Sequence, residues 1–262
     1  MIPNDTPSSS SPEVSGTAKK QFILLRGLCR DAGHWGVLPN HLEKHFSEDE
    51  VHCLDLPGNG IFHEHLSPVK IDDYAEHLNE LIQNLAHSDN RYFIGVSFGA
   101  MVGLQYRNQF SSEIKKFFLI NTSHGGLSPF WQRMKFKYYP LILSLPLIPS
   151  LEKKLLDVVC NLNGKNEATA NKWQKIRKQR PVRPLSFIKQ LRAAAAAKPE
   201  LIVNQDDLII LSSIQDRFVS PQCSKILAKT LKAPMETHDT AGHDLPEDAP
   251  EWTLQQIVEY LA

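Results

Sequence analysis

Ser97 lies in the run Gly95-Val96-Ser97-Phe98-Gly99, directly after the apolar stretch RYFIG and just before a helix-like run from Ala100 to Phe110. A serine flanked by small residues at a sharp strand-to-helix turn is lifted clear of the sheet, where its hydroxyl can act as a nucleophile. The five letters alone are weak, because composition yields them in about one chain in ten of this size. The strand before them and the helix after them add the context that the chemistry needs. A serine hydroxyl attacks poorly near neutral pH, so it requires a general base, and the base requires a group to orient it. Asp216, in LIILSSIQDRFVSP, follows the end of a predicted strand, and His243, in TAGHDLPEDAP, lies between the last predicted strand and the last helix. In the order Ser, Asp, His the three read as nucleophile, orienting acid and base. Asp206 and Asp207 precede their strand, and Asp239 is too near His243 along the chain to orient it, so Asp216 is the preferred acid.

The elements that must hold these residues alternate. Apolar runs at 22–26, 51–55, 91–95, 116–120 and 208–211 lack period-two patterning and suit strands buried on both faces. Apolar positions Ile71, Tyr74, Ala75, Leu78, Leu81, Ile82 and Leu85 predict a helix over 71–86. A last strand at 235–238 and a closing helix at 252–261 complete an α/β core, a mostly parallel sheet of about six strands with helices on both faces. The alternation stops over 125–199, which predicts a helical cap inserted into a core made of 21–124 and 200–262. Residues 1–20 are polar and rich in Ser and Pro, without the apolar centre of a signal peptide, and predict a disordered tail.

Composition narrows the function. With 29 Lys+Arg against 29 Asp+Glu, nothing suggests a general nucleic-acid binder. Cys29, Cys53, Cys160 and Cys223 form no CxxC pair and are expected to be reduced thiols of a cytoplasmic protein. His63 and His65 lack a third ligand nearby, so no metal is expected. The run YYPLILSLPLIPSL, from Tyr138 to Leu151, is too short to span a bilayer and is broken by Pro140, Pro146 and Pro149. It is expected to pack on the core and line a pocket for an apolar substrate. Trp35 and His124, on loops after predicted strands, are expected to touch substrate. The cap segment holds fifteen Lys+Arg and three acids, Glu152, Asp157 and Glu167, so a neutral chain combines a basic cap with an acidic body.

LLRGLCRDAGHW after the first strand, DLPGNG after the second, GVSFGAM at the turn, Asp216 and TAGHD together resemble the α/β-hydrolase superfamily, from about Phe22 onward. The resemblance implies an α/β-hydrolase fold and a serine hydrolase of carboxylic esters or thioesters that works through an acyl-enzyme without cofactor. It also implies an oxyanion hole made by the backbone N–H groups of Leu28 and Phe98. The chain departs from the family where Arg26 replaces the usual histidine before Gly27, which leaves local hydrogen bonding and substrate preference open. Serine at the turn sets it apart from members that use aspartate there, the haloalkane dehalogenases and epoxide hydrolases.

Some similarity extends to the pimeloyl-acyl-carrier-protein methyl ester esterases of biotin synthesis. That similarity implies an acidic acyl carrier protein held by Arg177, Arg180, Arg183, Lys189 and Arg192; the opposing reading is an ordinary solvated helix face. A reading of another class is a non-catalytic homologue that binds a small ligand in the same pocket.

Overall fold

The computed structural model describes residues 19–110, 113–144, 148–202 and 206–262. Of the predicted tail, all but the last two residues fall outside that range. Six strands, β1 (Gln21–Leu25), β2 (Glu50–Leu54), β3 (Arg91–Val96), β4 (Ile114–Ile120), β5 (Leu208–Ser213) and β6 (Met235–His238), form one sheet in the order β2-β1-β3-β4-β5-β6. Every pairing is parallel.

Burial on both faces follows from the strand period of two. Ile23, Leu25, Phe93, Phe117, Leu119, Leu208 and Ile210 face one layer, which holds α2 (Ile71–Gln83), α3 (Phe98–Gln109) and α9 (Pro221–Leu231). Their neighbours Phe22, Leu24, Ile94, Phe118, Ile120, Ile209 and Leu211 face the other, which holds α1 (Leu38–His45) and α10 (Pro250–Leu261). Helix α2 buries Ile71, Tyr74, Ala75, Leu78 and Ile82 on one stripe, and Asp72 and Asp73 in its first turn suit the positive end of its dipole. It ends three residues before the predicted limit, where Asn84 closes the last turn through its N–H to Glu80 O.

The strand order has one reversal. The chain runs outward from β1 to β2, then crosses to the other side of β1 to begin β3. Crevices outside the carboxyl ends of strands at such a reversal are the usual ligand sites of parallel sheets, and the loop after β1 and the turn after β3 meet there.

Between β4 and β5 lie α4 (Phe130–Arg133), α5 (Tyr139–Ser144), α6 (Glu152–Val159), α7 (Glu167–Gln179) and α8 (Pro184–Ala196). Gly125 N–H donates to Ala197 O at 2.9 Å and closes the base of this excursion. Arg133 ties α4 to the end of α8 by donating to the carbonyls of Ala195 (2.8 Å) and Ala194 (2.5 Å) in its last turn. Met134, Ile142, Leu155, Leu156, Trp173 and Phe187 pack together and enclose Cys29 from the loop after β1. No helix of the described residues is long and apolar enough to cross a membrane.

Candidate active site

Ser97 sits between β3 and α3 with φ 54° and ψ −113°, a left-handed conformation that costs a non-glycine residue and persists only where its surroundings enforce it. They do so here. Ser97 N–H donates to Ile120 O on β4 at 2.8 Å, and its carbonyl accepts from Thr122 Oγ1 at 2.9 Å. The flanking glycines are required by close approach. A Cβ on Gly99 would fall on the carbonyl oxygen of Leu25 and 2.6 Å from that of Arg26, and one on Gly95 would lie 2.8 Å from Ala100 Cα. Helix α3 therefore starts immediately after Ser97, two residues earlier than the sequence pattern predicts.

Asp216 follows β5 in a short loop, where its Oδ1 accepts from the N–H groups of Phe218 (2.8 Å) and Val219 (2.9 Å). Its Oδ2 lies 2.7 Å from His243 Nδ1, which fixes the ring and leaves Nε2 for proton transfer. Both side chains are buried, and the Phe218 ring packs 5.1 Å from that of His243. Of the rival acids, Asp207 is held by Arg107 at 2.6 and 2.9 Å and Asp239 is exposed.

Ser97 and His243 line one cavity together with Arg26, Gly27, Leu28 and Asp244. Apart from Arg30, its other walls are largely apolar and come mostly from the segment between β4 and β5: Met134, Ile142, Leu155, Val159, Phe187 and Leu191. Ile142 is the contribution of the apolar run at 138–151. Leu28 and Phe98 border the adjoining cleft beside Ser97. The Phe98 N–H opens α3 and has no intrahelical acceptor, and neither it nor the Leu28 N–H bonds to another of the described residues.

Three residues stand elsewhere than expected. Trp35 is fully buried, packed with Leu38, Leu245 and Ile257 beneath the sheet, and lines no described pocket. His124 is buried too; its Nε2 bonds to Pro199 O (2.7 Å) and its Nδ1 accepts from Gly126 N–H (3.0 Å), so it braces the base of the segment between β4 and β5. Both rings are large enough to be used as packing, which loop position alone does not reveal. Arg177 is buried as well, because Ala170, Trp173 and Arg177 form the inward stripe of α7. Its Nε donates to Glu152 at 2.8 Å. Arg180, Arg183 and Arg192 are exposed and Lys189 is half-buried.

Asn121 holds the loop of His243 in place. At the end of β4 with φ 45°, it donates to His243 O (2.8 Å) and Gly242 O (3.2 Å) and accepts from Ser213 N–H (2.8 Å). Asp248 secures the same loop by accepting from Gly242 N–H at 2.7 Å. The only signal for either was polarity next to a strand end or a helix turn.

A thiol also borders the cavity, that of Cys29. Burial pushes its thiol up to about 11, against the opposing pull of Arg177 and Arg30. At pH 8 about one molecule in a thousand then carries the reactive thiolate. Iodoacetamide at pH 8 is therefore expected to leave Cys29 unmodified in the folded protein, as read from peptide masses; rapid alkylation would show a thiol more exposed than this site allows.

Residues 22–256 match the model of the alpha/beta hydrolase family. Methylesterase 4 of Arabidopsis thaliana is 28% identical over 155 residues, 57% of this chain and 54% of that protein, so the match spans about half of the curated relative's length. A thermophilic esterase from Thermogutta terrifontis superposes with a TM-score of 0.73 over 92% of this chain and 89% of its own, at 17% identity. An esterase from Exiguobacterium antarcticum gives 0.76 over 93% and 92%, also at 17% identity. At such identities the likeness to these structures is one of fold. With the family's model matched across nearly the whole described length, the chain belongs to the alpha/beta hydrolase family.

Proposed function

We propose that the protein is a serine hydrolase of carboxylic esters, with thioesters the nearest alternative substrates. The observation that carries this reading is the 2.7 Å contact of His243 Nδ1 with Asp216 while His243 and Ser97 line the same apolar cavity. Ser97 Oγ attacks the ester carbonyl as His243 Nε2 takes its proton, and the N–H groups of Leu28 and Phe98 receive the oxyanion. His243 then protonates the departing alcohol, and water repeats the sequence on the acyl-enzyme. Asp216 keeps the imidazole in the tautomer that allows both transfers.

The apolar walls suit an acyl chain, each buried CH₂ adding about 0.8 kcal/mol until the cavity is filled. Methyl esters are the first leaving group to examine, because the named relative is a methylesterase. A p-nitrophenyl ester series of increasing acyl length is expected to show kcat/KM rising to an optimum and then falling. Ligand binding without turnover at any length would favour the non-catalytic reading instead.

The proposal extends to presentation of the substrate. Arg180, Arg183, Arg192 and Lys189 give the cap a basic surface suited to an acidic acyl carrier protein, and the four unpaired cysteines suit a cytoplasmic setting. Raising the salt is expected to slow hydrolysis of an ester presented on acyl carrier protein while leaving a small free ester unaffected. Equal salt behaviour of the two substrates removes the carrier from the account.

A further inference from the structure

Arg26, where the family usually has histidine, ends the chain's approach to Gly27 and Leu28, and Asp244 directly follows His243. The two are 218 residues apart, yet they meet as a two-bonded ion pair: Nη1 donates to Oδ1 at 2.9 Å and Nη2 to Oδ2. Their side chains are 2% and 5% exposed, and both residues line the cavity that holds Ser97 and His243. The guanidinium lies 5.0 Å from the centre of the buried Trp35 ring, and among the described residues its Nε has no partner and its hydrogen bonds run to Asp244 alone.

The surroundings show what this pair adds. The loop after β1 is otherwise held by Cys29 N–H on Gln190 (3.0 Å), by Ala32 N–H on Asp55 (2.7 Å), by the Arg30 ion pair with Glu152 (2.8 Å) and by Arg30 N–H on Gly27 O (3.2 Å). The loop carrying His243 is held by Asn121, by Asp248 and by Asp244 N–H on Val159 O (2.9 Å). Among the described residues, Arg26–Asp244 is the one hydrogen-bonded link between these two loops. Burying a charged pair brings a desolvation penalty that an apolar pair of similar size avoids, so stability alone gives little reason to place one here. A planar fork on a carboxylate does supply fixed distance and fixed orientation.

We propose that Arg26 and Asp244 are positioning residues that lock the base-bearing loop to the oxyanion loop, so that His243 and the Leu28 N–H reach the substrate carbonyl in one arrangement. This rests on the serine hydrolase reading above. Neither residue touches the reacting atoms in this scheme; each acts through the residue beside it.

The decisive variant is the double substitution R26M/D244L, which removes both charges and keeps an apolar contact, so that a pair needed only for packing would be replaced. It is expected to fold with a Tm close to wild type and to lose about ten- to a hundredfold in kcat with KM changed less than about threefold, as displacement of reacting groups by 1 Å would give. A folded double variant with wild-type kcat overturns the proposal. R26K keeps the charge but replaces the fork with a single point contact, and is expected to lose at least about fivefold in kcat. Wild-type kcat in R26K overturns the proposal even where the double variant fails to fold. An inactive wild type would instead overturn the hydrolase reading itself, so the two failures are distinguishable.

Discussion

Replacing Ser97 by alanine is expected to lower kcat/KM on p-nitrophenyl esters by about four to six orders of magnitude with little change in Tm. The fold does not use this hydroxyl: it caps no helix, and the strained turn is enforced by backbone bonds to Ile120 and Thr122. Alanine suffers the same positive φ as serine, so the turn should survive. Asp216→Asn is expected to cost about 10³- to 10⁴-fold, because an amide facing His243 Nδ1 no longer selects the tautomer that leaves Nε2 free to accept a proton. Two of the hydrogen bonds accepted by Asp216, from Phe218 and Val219, remain possible for asparagine, so its loop should persist. Steady-state kinetics beside thermal melts separate the two effects. An S97A variant that kept a tenth of the activity would place the nucleophile elsewhere.

The largest expected effect on stability comes from Glu152→Gln. Glu152 opens α6 with a fully buried side chain, 2.8 Å from Arg177 Nε on α7 and 2.8 Å from Arg30 Nη1 in the loop after β1. It thus joins the segment between β4 and β5 to the loop after β1 and is the carboxylate shared by two buried cations. Loss of its charge leaves both uncompensated, which typically costs about 3–5 kcal/mol and lowers Tm by about 10 °C in a chain of this size. Burial by itself would raise the Glu152 pKa, but Arg30 and Arg177 outweigh it and hold the carboxyl below its ordinary value of 4.5. The sign follows from linkage: its contribution is complete above the unfolded value and is lost as pH falls through the folded one. Melts of wild type and E152Q should therefore differ most near neutral pH and converge in acid. A constant difference down to pH 3 would show that the pair does not carry the stability.

The parts of this molecule that were legible in the sequence are those set by local pattern. Apolar runs marked five of the six strands within a few residues of their limits, because a strand buried on both faces needs nothing but apolar side chains; the edge strand β2 reads the same way although it is only half-buried. The places of Ser97, Asp216 and His243 were legible because each follows a strand end at which a parallel sheet exposes its loops. What was illegible depends on contacts between distant segments. Arg26 read as a departure from a family pattern, and only the fold brings Asp244 to it across 218 residues. Glu152 read as one acid among many cations, although it neutralises two of them in the interior. Trp35 and His124 occupy loops near the site, but ring direction is set by packing that sequence position does not encode. Arg177 is the instructive case, since the helical period of Ala170 and Trp173 already placed it on the buried stripe. A count of positive charge without that period assigned it to the surface.

The most direct test of the serine nucleophile is reaction of the native protein with a fluorophosphonate, followed by intact mass and peptide mapping. The account predicts a single adduct on Ser97, within the tryptic peptide 92–107, that is absent from S97A and from protein denatured before exposure. An unmodified wild-type protein, or an adduct on another residue, would contradict it.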